Sequence, residues 1–269
     1  MIEPLLIIAL STLILASAAR AAAPPSSDTA QKSLADSTRH SEWVDIPMGD
    51  VKLHTWIVYP ERKDKAPVVL VIHEIFGMTD WVRSIADALA AEGFIAIAPD
   101  LLSGIGPSGG GTESFPADGV RDAIRKLKPD EVAKRLNAVR GYGLAQPSAN
   151  DKTASIGFCW GGGMSFNYAT MQPKLNAAVV YYGTPPTDDA LAKITCPVIG
   201  FYGGSDNRVT STVKPTQAAM DKLHKSYAPT IYDSAGHGFL RQQSAREANQ
   251  KAAEQAWPAT IAFLKKALE

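Results

Sequence analysis

The chain has 269 residues, ample for a full hydrophobic core, with 45% hydrophobic and 20% charged residues. Lys plus Arg and Asp plus Glu both number 27, so the formal net charge is zero and nothing in the composition calls for a nucleic-acid or other polyanionic partner. Two cysteines are too few for a disulfide scaffold or a thiolate metal site.

The first element is an apolar run, "LLIIALSTLILASA" (Leu5 to Ala18), followed by small residues. It fits the apolar region and cleavage site of a secretory signal peptide over residues 1–21, although the segment before it holds Glu3 and no Lys or Arg. The rival reading is an uncleaved anchor, for which the run is short. Export to the periplasm or medium is therefore expected. Residues 22–40 are rich in Ser, Pro and Ala and read as a flexible linker, leaving 41–269 as a single domain.

Within that domain Val51 to Tyr59 alternates as a half-buried strand, and "PVVLVIH" (Pro67 to His73) is a continuous β-branched run suited to a buried parallel strand. A helix follows, with Asp80 as its cap and Gly93 as its stop. "FIAIAPD" is the next strand, then a glycine-rich loop from Leu101 to Gly119, then helical stretches over about 120–142. Strands are predicted at "TASIGF", "LNAAVVYYG", "PVIGFYGGSD" and "PTIYD". Between them come helices at "GGMSFNYAT", "DDALAKI" and about Val213 to His224. A long helical tail from about Ser244 should kink or break at Pro258. This alternation predicts an α/β fold: a mostly parallel central sheet with helices on both faces, and chemistry at the C-terminal ends of the strands.

"IGFCWGGG" (Ile156 to Gly163) has the strand–turn–helix context of a nucleophile elbow, with Cys159 in the nucleophile position and Gly157 and Gly161 two residues to either side. At a helix N-terminus the dipole should lower the thiol pKa, and the Trp160 N–H should face a developing oxyanion. A buried core cysteine is the competing reading. Asp206 in "GGSDNRV" and His237 in "SAGHGF" each follow a later strand. Each could be a simple turn residue, but nucleophile, acid, histidine is the chain order of the α/β-hydrolases. Cys196 precedes its strand while Cys159 follows one, which puts them on the order of 15–20 Å apart. A disulfide needs Cα atoms within about 7 Å, so Cys196 reads as core. "GIGPSG" is interrupted by proline and opens no helix, so it is a loop rather than a dinucleotide site, and "HEIFG" is not a zinc motif.

Four stretches together resemble the dienelactone hydrolase family: "HEIFG" (His73 to Gly77), "GFCWGGG", "GGSDNRV" and "AGHGFLR" (Ala235 to Arg241), supported by "APDLL" and "VVYYG". The resemblance runs from about Val51 to the C-terminus and implies an α/β-hydrolase fold with a Cys159–His237–Asp206 triad. It also implies that Glu74 contacts the resting thiol and gates its ionisation, and that Ile75 N–H is the second oxyanion donor beside Trp160. Arg241 would bind a substrate carboxylate, with Tyr182 and Phe76 in the pocket. For Arg241 a solvated surface arginine, and for Tyr182 a packed strand-end tyrosine, remain alternatives. The family's second substrate-binding arginine has no clear match in the glycine-rich loop; Arg121 is the candidate. Trp160 is bulkier than the residue expected beside the nucleophile, which would narrow the acyl pocket.

The expected function is hydrolysis of an activated, carboxylate-bearing ester or lactone through a thioester, without metal or organic cofactor, by a monomer whose mature domain contacts no membrane. A general carboxylesterase or thioesterase of the same fold, a thiol redox sensor using Cys159, and a binding protein without turnover are the alternatives.

Overall fold

The computed structural model describes residues 21–268 apart from Ala117. The signal-peptide segment lies almost wholly outside the described residues.

Eight strands form one sheet: β1 (Ser41–Met48), β2 (Val51–Val58), β3 (Ala66–Ile72), β4 (Ile95–Pro99), β5 (Ala149–Phe158), β6 (Ala177–Tyr181), β7 (Val198–Gly203) and β8 (Tyr227–Tyr232), in the order β1-β2-β4-β3-β5-β6-β7-β8. The β1–β2 and β2–β4 pairs are antiparallel and the remaining five are parallel. β3, β4 and β6 are buried at every position, as strands covered on both faces must be.

Alternate residues of β3 feed two cores. Val68, Leu70 and Ile72 face one layer, made by α3 (Gly119–Lys126), α4 (Pro129–Leu144), α5 (Trp160–Met171), α6 (Asp188–Leu191) and α7 (Asn207–Lys222). Val69 and Val71 face the other, made by α1 (Ala30–Asp36), α2 (Asp80–Ala91) and α8 (Glu247–Leu268). This is the expected sheet with helices on both faces.

Three local expectations need correction. Residues 22–40 are not a flexible linker. They form a strap with its own helix, α1, whose Ala30 is fully buried. Trp81 Nε1 donates to Pro25 O (3.0 Å), Gln243 Nε2 donates to Pro24 O (2.8 Å), and Arg39 pairs with Asp87 at 2.6 Å. Tertiary bonds thus supply the order that Ser/Pro/Ala composition does not. The strap leads directly into β1, an edge strand that is not among the predicted elements. Nor does Pro258 break the tail: α8 continues through it, with Trp257, Thr260, Ile261 and Leu264 buried on either side. α7 starts at Asn207, directly after Asp206, rather than at Val213.

Candidate active site

The strand ends β3, β5, β6, β7 and β8 bring the candidate residues together. Cys159 sits between β5 and α5 with φ 55° and ψ −118°, a conformation that costs a non-glycine residue energy. The turn is closed by its neighbours. A Cβ on Gly157 would lie 1.9 Å from the Gly161 carbonyl oxygen, and one on Gly161 would lie 2.3 Å from that of His73. Only glycine permits this approach, so the two glycines hold the strained cysteine in place.

Asp206 caps α7 after β7, and His237 lies in the turn after β8. The two loops are tied together by Ser205 N–H donating to Ala235 O (2.9 Å), and buried Asn249 on α8 anchors the His237 turn, its side-chain oxygen accepting from Gly236 N–H (2.8 Å). His237 Nδ1 is 2.6 Å from Asp206 Oδ2, and His237 Nε2 is 3.0 Å from Cys159 Sγ. A carboxylate only accepts, so Nδ1 carries the proton and Nε2 of the neutral ring accepts from the thiol. The three side chains expected from their chain order therefore form one continuous hydrogen-bonded path.

Glu74, the second residue past β3, is buried and faces Arg241: its Oε2 lies 2.9 Å from Arg241 Nε, off the N–H axis, so the contact is electrostatic rather than a directed hydrogen bond. Burial lifts the Glu74 carboxyl to about 7 despite Arg241. Among the described residues the thiol's side-chain hydrogen bond is to His237, and Glu74 acts on the thiol by charge. The sign expected for the thiol is reversed. Burial first, then the Glu74 charge, raises Cys159 to about 11, against the opposing Trp160 N–H and Arg208. One helix N-terminus does not outweigh desolvation plus a neighbouring carboxylate.

Arg241 lies 4.7 Å from the centre of the Phe76 ring and Arg121, on α3, lies 4.9 Å from the same ring. Two guanidinium groups thus converge on the Phe76 ring, which brings Arg121 near Arg241. Tyr182, just past β6, has φ 41° and is buried, with its ring 5.1 Å edge-on to His237. Its hydroxyl has no hydrogen-bond partner among the described residues and is close enough to Glu74 and Cys159 for both to raise its pKa. Trp160 stacks on His73, with ring centres 5.6 Å apart. Its backbone N–H favours the ionised Cys159 sulfur, against burial and the Glu74 charge. Ile75 N–H donates to no protein acceptor among the described residues.

Sequence reasoning passed over Arg208. Its Nη2 is 3.9 Å from Asp206 Oδ2, yet its side chain remains 67% exposed, and its charge reaches the thiol. Position two residues after the acid, at the start of α7, was the available signal. Asp100, another strand-end residue, is structural. It accepts from Thr112 N–H and Oγ1 (2.6 and 2.8 Å), anchoring the glycine-rich loop. Both cysteines are free, and Cys196 is buried just before β7, at the opposite end of the sheet from Cys159. A cleft of about 580 Å³ between the glycine-rich loop, α3 and α4 contains none of the triad, so the site is identified by its chemistry and not by cavity size. Among the described residues no cluster of three or more His, Cys, Asp or Glu side chains is placed to hold a metal ion, and no helix is long and apolar enough to cross a membrane.

The model of the dienelactone hydrolase family matches residues 53–268. The chain is 30% identical, over 253 residues covering 80% of it and 94% of the relative, to a Saccharolobus solfataricus protein named "Putative carboxymethylenebutenolidase". A similarly named protein of Escherichia coli K12 is 29% identical over 72% of this chain and 75% of its own. Among solved structures, a Klebsiella pneumoniae protein described as "Putative Dienelactone Hydrolase" superposes with a TM-score of 0.75 at 25% identity, over 86% of this chain and all of that one. An acylaminoacyl peptidase from Pyrococcus horikoshii shares the fold alone, with a TM-score of 0.68 at 16% identity, over 89% of this chain and 44% of that one.

Proposed function

The chain belongs to the dienelactone hydrolase family and is a hydrolase, and from that premise we propose that it opens an activated, carboxylate-bearing ester or lactone through a Cys159–His237–Asp206 triad and a thioester intermediate. The observation that carries this reading is the unbroken path from Cys159 Sγ to His237 Nε2 (3.0 Å) and from Nδ1 to Asp206 Oδ2 (2.6 Å).

The chemistry follows from those contacts. His237 Nε2 takes the thiol proton as Sγ attacks the carbonyl carbon, and Asp206 stabilises the imidazolium so formed. Trp160 and Ile75 N–H groups meet the oxyanion. The carbonyl re-forms, the C–O bond to the leaving oxygen breaks, and His237 returns the proton to that oxygen. In a lactone the leaving oxygen stays tethered to the thioester acyl chain. Water then attacks the thioester, His237 accepting its proton, and the thiolate departs with the acid released. With a thiol pushed up to about 11, free thiolate is scarce at neutral pH, so proton transfer to His237 accompanies attack. A thiolate leaves easily, so the site suits activated esters rather than amides.

Arg241 and Arg121, both against Phe76, supply the charge for a substrate carboxylate, and Tyr182 supplies an unspent hydroxyl. A carboxylate that reaches Arg241 competes with Glu74 for the same guanidinium. Export through residues 1–21 is part of the same proposal. It rests on the apolar leader, with the strap packing onto the domain from Ala21 onwards.

The experiment is a panel of dienelactone-type lactones, aryl esters, thioesters and anilides, run on the wild type and on Cys159→Ala. Mass spectrometry of quenched reactions looks for the acyl adduct. Loss of turnover in Cys159→Ala with an acyl adduct on wild-type Cys159 is the expected result. Ester turnover that survives alkylation of Cys159, or anilide hydrolysis matching ester hydrolysis, counts against the reading.

A further inference from the structure

His73 is the first residue past β3 and has no part in the triad. It is fully buried. Its Nε2 accepts from Leu101 N–H (3.2 Å), so that nitrogen carries no proton and the ring is the Nδ1–H tautomer. Nδ1–H then donates to the Glu74 carbonyl oxygen at 2.8 Å. Burial lowers the ring pKa and keeps it neutral, which agrees with this tautomer.

The consequence lies in the next bond. A trans peptide is planar, with its C=O and N–H pointing in opposite directions. The Glu74 carbonyl belongs to the same peptide as the Ile75 N–H. Holding the oxygen on the His73 ring, with a second bond from Gly77 N–H at 3.2 Å, therefore fixes the direction of the Ile75 N–H. The same ring stacks on Trp160 at 5.6 Å and 21°, and Trp160, directly after Cys159, carries the other donor. Leu101 ties the arrangement to the end of β4.

We propose that His73 is the positioning residue of the oxyanion hole, orienting the Ile75 N–H through the Glu74–Ile75 peptide and bracing Trp160. This rests on the reading of Ile75 and Trp160 as oxyanion donors. His73 touches no substrate; its effect is confined to states in which the carbonyl oxygen carries charge, because preorganised donors act where charge develops.

The test uses two substitutions that divide the two ring nitrogens. In His73→Asn the side-chain amide nitrogen overlays Nδ1 and can still donate to Glu74 O. In His73→Gln the longer side chain reaches towards Leu101 and abandons the Nδ1 position. Two readouts are compared on the full chain: kcat and KM on an activated aryl ester, and the inhibition constant of a trifluoromethyl ketone analogue. That ketone adds the Cys159 sulfur as the thiol proton passes to His237 Nε2, forming a charged hemithioketal oxygen. The expected result is a fall of roughly 100-fold in kcat for His73→Gln, the order seen on losing one oxyanion donor. KM should stay within about twofold, ketone affinity should fall in parallel with kcat, and His73→Asn should recover most of both. Wild-type kcat in His73→Gln, equal loss in the two variants, or loss of ester KM and ketone affinity alike would overturn the proposal, since none of these tracks the Nδ1 donor. Cys159→Ala run beside them keeps the two readings apart. Activity in that variant sinks the triad; an inactive Cys159→Ala with a fully active His73→Gln sinks only the role of His73.

Discussion

Arg241 Nε stands 2.9 Å from Glu74 Oε2, so the guanidinium is engaged with the same carboxylate whose charge acts on Cys159. Their pairing makes the ionisation of Glu74 and the proposed binding of a substrate carboxylate by Arg241 interdependent. A carboxylate arriving at Arg241 must displace Glu74, whose own charge is one of the influences holding the thiol protonated.

Glu74→Gln tests that coupling. Removing the second-largest cause of the raised thiol pKa should bring Cys159 down from about 11. Alkylation by iodoacetamide, followed against pH, should show its midpoint displaced to lower pH in the variant. An unchanged midpoint means Glu74 does not act on the thiol.

The same substitution has a stability signature. The folded carboxyl titrates near 7, above its ordinary value of 4.5. Between those values the native state binds more protons than the unfolded state, so the wild type loses stability as pH rises through the folded value. Glu74→Gln, which resembles the protonated acid at every pH, escapes that loss. Urea unfolding should find the variant more stable than wild type at pH 8, by up to roughly 3 kcal/mol, with the difference closing near pH 4. A constant difference at both pH values refutes the assignment.

Arg121→Ala and Arg241→Ala should separate carboxylate binding from chemistry. For a carboxylate-bearing lactone each substitution should raise KM by roughly 10-fold or more, as expected for losing a charge-assisted bond of about 1.5–3 kcal/mol. A neutral aryl ester should be turned over almost as before. Equal losses on both substrates for Arg121→Ala would remove it from the binding site and leave it as packing on Phe76.

Deleting residues 1–28 should weaken both the fold and the His237 turn. Ser27 N–H donates to Arg241 O (2.9 Å), and the Trp81 and Gln243 bonds to Pro25 and Pro24 would also go. Three bonds at about 1 kcal/mol each predict a loss of roughly 3 kcal/mol, read as a lowered thermal midpoint. Because Arg241 is released at its backbone, KM for the carboxylate-bearing substrate should rise as well. An unaltered midpoint would mean that the strap contributes nothing to the domain.

The strap and β1 were hidden from the sequence for a physical reason. Ser, Pro and Ala leave no periodic apolar face, and α1 is held by Ala30 and by Ser37 and Arg39 on Asp87 rather than by its own propensity. β1 is an edge strand in which only Ile46 is buried, so it shows little alternation to read. The central strands were legible because burial on both faces demands unbroken β-branched runs, as in Ala66 to Ile72.

At the site the division is sharper. The identity and order of Cys159, Asp206 and His237, and the glycines that allow the turn, are local properties of the chain. They follow from strand–turn–helix spacing, because an elbow admits only small residues at those points. Which charges face one another is not local. Glu74 meets Arg241, Arg121 joins it on Phe76, and Glu74 and burial together outweigh the helix N-terminus at Cys159. Those pairings join residues far apart along the chain. Their signs depend on distances of a few ångströms and on excluded water, and both come into existence only when the strands are laid side by side.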